Sequence, residues 1–333
     1  LVSSTVNGSG NGRSGAQILA LLGTPLCCAL LRALDRGPKP QAELRQLTGW
    51  PAQTTLRAQL KRLTAIGALE RRRRNQFPGT VIYELTPPGR ELLGILDVLQ
   101  RWLSQAPGGP LYLGHGAAKA AINALAEGWS SGMLQVLASG PASLTQLDSL
   151  IAALSYPSLE RRLAAMRLAG LTEVSSVDGR GTPHAVTEWM RRGVAHLLLV
   201  GRWESRQRVA RGMALAPHEL KAVFLLALPL LRLPVEHDGA CRLTVEAPVE
   251  KELVSVAARV AGGTVSPCDP SMERPGAWIL GKPAGWLDAI VDGDTAYLEL
   301  GGDGALGRAL LEGLYSALLS PGRGASVDAS STK

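Results

Sequence analysis

Gln53, Thr54, Arg57 and Lys61 are followed within twenty residues by an unbroken run of cations, Arg71-Arg72-Arg73-Arg74, and by Asn75. Arg57 and Lys61 stand four apart with Thr54 one turn earlier, so the three share one side of a helix, and Arg62 stands next to them in sequence. Amide, hydroxyl and guanidinium groups in that order are hydrogen-bonding groups suited to base edges in a major groove. Four consecutive arginines repel one another and need a counter-charge. Side chains alternate along a strand, so about half of the run reaches one face, where phosphates are the natural partner. Enzyme chemistry finds no such support. Gly302–Gly307 matches G-x-G-x-x-G, but no βαβ unit follows, and no acidic residue stands about 20 positions on. His115, His184, His196, His218 and His237 are scattered without metal-ligand spacing, and Asp292-Gly-Asp294 lacks the rest of a calcium loop.

The elements that must position these cations are written twice. Leu30–Pro38 aligns with Met133–Pro141, and Leu56, Leu60, Leu63 and Gly67 align with Leu159, Leu163, Met166 and Gly170, 103 positions on. Arg101-Trp102 then aligns with Arg202-Trp203, 101 positions on. In the first copy a helix over 16–35 stops at Gly37-Pro38 and a short helix spans 41–48. A third helix over about 52–66, capped by Gly67, buries Leu56, Leu60 and Leu63. Strands 69–74 and 80–85, joined by a turn at 75–79, and a last helix over 90–103 complete it. The second copy has its third helix at about 157–169. It sets Glu160 where the first has Arg57, keeping Arg161, Arg162 and Arg180. After residue 211 strands alternate with helices, which indicates a separate sheet unit.

The charge is unevenly spread. Residues 1–105 carry 14 Lys and Arg against 6 Asp and Glu, residues 106–212 carry 11 against 7, and residues 213–333 carry 10 against 15. The basic front is the part suited to a polyanion. Cys27, Cys28, Cys241 and Cys268 form neither a C-x-x-C motif nor a disulfide framework, which fits a reducing compartment. Residues 1–15 lack the apolar core of a signal peptide, and no apolar run is long enough to span a bilayer.

The Gly-Pro after the first helix, the Leu-x3-Leu-x2-Leu third helix ending on Gly67, the wing, and Tyr83-Glu-Leu-Thr-Pro-x-Gly89 together resemble the HxlR/MarR-type winged-helix repressors of bacteria. The terminal Arg-Trp of each copy fits the same pattern. The resemblance implies homodimers joined through terminal helices on pseudo-palindromic DNA. Its groove-facing positions fall on Gln53, Thr54, Arg57 and Lys61, and in the second copy on Tyr156, Pro157, Glu160 and Ala164, a poor set for reading bases. The segment 277–303 resembles a sterol-carrier-like α/β fold, which implies a hydrophobic ligand near Phe224, Leu228, Trp278 and Trp286; the same residue types equally build a core.

The expected molecule is α+β: two tandem winged helix-turn-helix domains (16–105 and 106–212) followed by a small α/β sheet domain (213–320), with disordered tails at 1–15 and 321–333. The expected role is a cytoplasmic, non-enzymatic, cofactor-free regulator of transcription that binds specific double-stranded DNA. It would act as a pseudo-dimeric monomer or a homodimer, with a hydrophobic small molecule as candidate ligand. The alternative is a lipid-binding carrier or adaptor whose winged helices mediate protein contacts.

Overall fold

The computed structural model describes residues 15–73, 80–176, 181–207, 215–247, 253–268 and 275–319. Both expected tails, apart from Gly15, fall outside these residues, as do Arg74, Asn75 and Arg180. The first long helix of the sequence reading is in fact two, α1 (Ala16–Leu22) and α2 (Pro25–Asp35), bent by 76° at the break. Pro25 has no N–H to continue the ladder, and Thr24 before it is extended at ψ 132°. The bend lets Gly23 approach a neighbouring helix so closely that a Cβ would lie 2.8 Å from Ile122 Cγ2.

Strand β1 (Lys39–Pro40), α3 (Gln41–Leu47) and α4 (Gln53–Ala65) follow, then the hairpin β2 (Leu69–Arg73) and β3 (Val81–Leu85), and α5 (Pro87–Leu103). The three strands lie in the order β1-β3-β2. Leu56, Leu60 and Leu63 form the buried stripe of α4, as their spacing requires. Gly67, at φ +78°, supplies the left-handed residue that ends the helix and turns the chain into β2.

From α6 (Gly116–Ser130) the same order returns: α7 (Met133–Ala138), α8 (Leu144–Leu150), α9 (Tyr156–Leu168), β4 (Thr172–Val174), β5 (His184–Val186) and α10 (Glu188–Gln207). The pairing repeats residue for residue. Lys39 faces Tyr83 and Leu69 faces Leu85; at the sequence-aligned positions Ala142 faces His184 and Thr172 faces Val186. The hydroxyl of Thr86 donates to the carbonyls of Gly67 and Ala68 and accepts from the Gly89 N–H, capping α5. Thr187 makes the same three bonds with Gly170, Leu171 and Met190.

Helix α11 (Pro217–Ala227) leads into a five-stranded sheet of order β10-β9-β6-β7-β8, made of β6 (Gly239–Glu246), β7 (Leu253–Ala261), β8 (Thr264–Cys268), β9 (Ala277–Gly281) and β10 (Leu298–Gly302). Among the described residues only β6 and β9 pair in parallel. Between β9 and β10 run α12 (Pro283–Leu287) and a widened helical turn, Asp288–Asp292; α13 (Gly304–Leu319) closes the unit. The buried residues of β9, Ala277, Ile279 and Gly281, alternate as a half-covered sheet demands. Among the described residues no single helix is long and apolar enough to cross a membrane.

Candidate nucleic-acid interface

Helix α4 and the adjoining β2 carry the sequence-read cations on their open surfaces. Gln53, Thr54, Arg57, Lys61 and Arg62 are all exposed, while Leu56, Leu60 and Leu63 anchor the opposite side. Arg62 is set about 140° round the helix from Arg57. It therefore does not share the side that Arg57 and Lys61 present.

The arginine run divides by strand alternation. Arg72 lies between carboxylates, its Nη2 2.9 Å from Glu70 Oε2 and its Nε 2.8 Å from Glu84 Oε1. Glu84 stands directly opposite Glu70 across the hairpin. The two carboxylates hold the Arg72 guanidinium above its ordinary pKa, and Arg72 holds Glu70 below the usual carboxylate range. Arg71 and Arg73 take the other face, the one that Leu69 buries at the base of the hairpin. Among the described residues of α4 and β2, Arg57, Lys61, Arg62, Arg71 and Arg73 are in no ion pair, and Arg72 alone is compensated.

Trp50 belongs to this surface too. It is 63% exposed and holds φ +54°, the one non-glycine positive φ among the described residues. Arg45 keeps it there, with its guanidinium 5.3 Å from the indole centroid and its Nε donating to the Pro51 carbonyl at 3.1 Å. A bulky residue in this backbone region costs on the order of 1 kcal/mol or more and is retained where the surroundings dictate it. Trp50 therefore stands rigidly beside the start of α4, an apolar plane next to Gln53 and Thr54.

The corresponding surface of the second unit is different. Tyr156, Pro157, Glu160 and Ala164 are exposed on α9, and Leu168 is 87% exposed at its end. Arg161 is exposed, but Arg162 turns inward and donates from Nη1 to the Glu127 carbonyl at 3.3 Å. It does not offset Glu160 at the surface. Trp50 is matched by Ala153.

The two units meet through reciprocal contacts. Trp102 Nε1 donates to the Trp189 carbonyl at 2.8 Å, and Trp203 Nε1 donates to the Pro88 carbonyl at 2.9 Å. Residues 102 and 203, and 88 and 189, are equivalent in the repeat, so each unit gives the other the same bond. Arg192 with Gln105 (3.3 Å) and Arg206 with Glu91 (3.9 Å) form a second such exchange. This reciprocity is the mark of an isologous contact. On the outer side of α10, Arg202 pairs with Asp288 and Asp292, and Arg206 with Asp292, which ties the helix to the sheet unit.

Of the residues read as ligand-binding, Phe224, Leu228 and Trp286 have no exposed surface. Phe224 and Trp286 meet ring edge to face at 4.7 Å, and Trp286 Nε1 donates to the Thr244 carbonyl. Trp278 lies apart, 40% exposed and laid over Gly301, its partner across the sheet. None of the four lines the hollow of about 480 Å³ in this unit, which is formed by Glu246, Leu280–Lys282, Ala284, Gly285, Asp288, Tyr297 and Glu299.

Comparison with known proteins bears on the first unit. Residues 21–108 match the model of the family described as HxlR-like helix-turn-helix. The chain is 40% identical over 84 residues to the uncharacterised HTH-type transcriptional regulator YtcD of Bacillus subtilis strain 168, a match covering 25% of this chain and 67% of the relative. A crystal structure of YtcD aligns at 38% identity, covering 26% of this chain and 88% of that one, with a TM-score of 0.24. The structure of diamide-treated YodB from B. subtilis aligns at 29% identity over 27% of this chain and 88% of that one, with a TM-score of 0.26.

Proposed function

Since the chain belongs, through residues 21–108, to the HxlR-like helix-turn-helix family, we propose that it is a transcription regulator built from two winged helices in one chain, and that the first is its DNA-reading head. The observation that carries this reading is the placement of Arg57, Lys61, Arg71 and Arg73, exposed and unpaired, on the two elements that meet a duplex in a winged helix. Helix α4 enters a major groove with Gln53, Thr54, Arg57 and Lys61 toward base edges. Arg71 and Arg73 on the wing take phosphates. The reciprocal tryptophan bonds support a pseudo-twofold arrangement in which one chain takes the place of a dimer. The second head, with Glu160 and Ala164 in the reading positions, adds orientation more than recognition. The target is therefore asymmetric, with one strongly protected groove.

The test is a salt titration of binding to a fluorescent duplex taken from upstream of the chain's own gene, with a scrambled duplex beside it, followed by hydroxyl-radical footprinting. The expected result is salt-sensitive preference for the native duplex, one chain per duplex, and protection concentrated at one half-site. Two equally protected half-sites bound by two chains would overturn the single-chain reading. No binding to either duplex at low salt would overturn the regulator reading itself.

A further inference from the structure

The reciprocal contact between α5 and α10 is complete on one side and hollow on the other. On the complete side the rings of Trp102 and Trp189 stack at 4.2 Å and 5° between planes, with the His196 ring 5.2 Å from Trp102. On the other side Trp203 makes the equivalent bond to the carbonyl of residue 88, but its partner is Pro88 instead of a tryptophan. Gly94 stands where the mirrored position has Ala195, Ile95 where it has His196, and Val98 where it has Leu199. There α5 and α10 leave a hollow of about 330 Å³ lined by Ile95, Val98, Leu199 and Trp203, with Val291 of the sheet unit at its edge. A Cβ on Gly94, which also lines it, would meet no atom within 4 Å.

We propose that this hollow is a binding site for a small, flat, neutral aromatic molecule of one or two fused rings, packed against Trp203 as Trp189 packs against Trp102. Trp102, the equivalent of Trp203, carries a stacked indole, whereas the ring of Trp203 borders the hollow. Lining side chains are mostly apolar, and the cations at the rim, Arg202 and Arg206, are already held by Asp288, Asp292 and Glu91. An anionic ligand would have to displace those carboxylates, whereas a neutral ring would not. The site touches both winged units and the sheet unit at once, so a molecule wedged between α5 and α10 alters the spacing of the two heads. That regulatory consequence rests on the DNA reading; the binding does not.

The experiment titrates the full chain with 5-fluoroindole, followed by fluorine NMR, beside the anionic analogue 5-fluoroindole-3-acetate. Saturable binding of 5-fluoroindole is expected, with a dissociation constant on the order of 1 mM or tighter. Gly94→Leu fills the hollow with a better helix former and is expected to weaken binding about tenfold or more without lowering the melting temperature. Gly94→Ala, which copies the mirrored residue, is expected to weaken it less. Ala284→Leu, in the hollow of the sheet unit, is expected to leave it unchanged. Absence of saturable binding, tighter binding of the acetate, or loss in Ala284→Leu with Gly94→Leu unaffected would each overturn the proposal. Under the DNA reading, 5-fluoroindole also shifts the duplex affinity of the wild type and not of Gly94→Leu. If the ring binds and no duplex does, the site stands and the regulator reading fails.

Discussion

The sharpest consequence of the wing geometry is that its arginines are unequal. Arg71→Ala with Arg73→Ala removes two unpaired cations, whereas Arg72→Ala removes one that Glu70 and Glu84 already hold at 2.9 and 2.8 Å. Each cation brought against the duplex, in the groove or on a phosphate, releases condensed counterions and adds about 0.9 to the slope of log affinity against log salt, so Arg57, Lys61, Arg71 and Arg73 together give a slope of about −3.6. Raising salt fourfold, from about 50 to about 200 mM, then weakens wild-type binding about 150-fold and the double variant only about 12-fold. Arg72→Ala is expected to change the slope by well under one unit. Little affinity is expected to be lost, because Glu70 and Glu84 lie on the opposite face of the hairpin from Arg71 and Arg73. Fluorescence anisotropy of a labelled duplex at five or six salt concentrations measures all three slopes. If Arg72→Ala flattened the slope as much as Arg71→Ala does, or if the double variant kept the wild-type slope, the assignment of faces on β2 would be wrong.

Other expectations concern the interface and the buried groups. Trp189→Ala removes a stacked ring and its hydrogen bond to the Trp102 carbonyl, and is expected to cost about 3–5 kcal/mol in urea unfolding. Burial pushes the Cys27 thiol up to about 12 and Cys28 to about 11. Near pH 8 both therefore stay protonated and inert; among the four cysteines only partly exposed Cys268 should react promptly with a thiol reagent in native protein, and all four in denaturant. Both shifts lie above the unfolded value, so their contribution to stability is present below about pH 9 and is lost as the unfolded thiols ionise above it. His196 is displaced the opposite way, downward by burial and by the charge of Arg101, and it stays neutral in the fold. Its unfolded form binds a proton below about pH 6.5, so stability falls as pH drops through that value. His196→Ile, which copies the equivalent Ile95, is expected to flatten the stability curve between about pH 5 and 6.5 by up to one proton. An unchanged curve would refer the pH dependence to His184 and His218, which burial also pushes down.

Local periodicity in the sequence was enough to place α4, its buried leucines and its cationic face, because helix spacing alone decides which residues share a side. The repeat was equally legible, down to the offsets of 103 and 101 that the strand registers reproduce. What the sequence could not display depends on contacts between distant residues. Arg72 looked like its neighbours until the hairpin register placed Glu84 beside it. Arg162 read as a surface cation until α6 took it up through the Glu127 carbonyl. Trp102 aligned with Trp203, yet its stacking partner is Trp189, a position whose equivalent is a proline, so no alignment of the copies would pair them. The break at Gly23-Thr24-Pro25 carried a legible signal in Pro25, which the apolar run around it outweighed.

Joining two equivalent units in one chain changes what substitutions can do at their contact. In a true dimer each replacement appears twice, once on each side of the axis. A tryptophan at position 88 as well as 189 would then stack on both sides, and a proline at both would leave both sides open. Here Trp189 is the equivalent of Pro88, Ala195 of Gly94 and Glu160 of Arg57, differences that no symmetric pair of identical chains can hold. One side of the contact is thereby packed and the other open, while α4 presents Arg57 where α9 presents Glu160. Helix α10 also meets the acidic sheet unit through Arg202 and Arg206. The stacked Trp102 and Trp189 hold α5 to α10 on the closed side whatever occupies the open one.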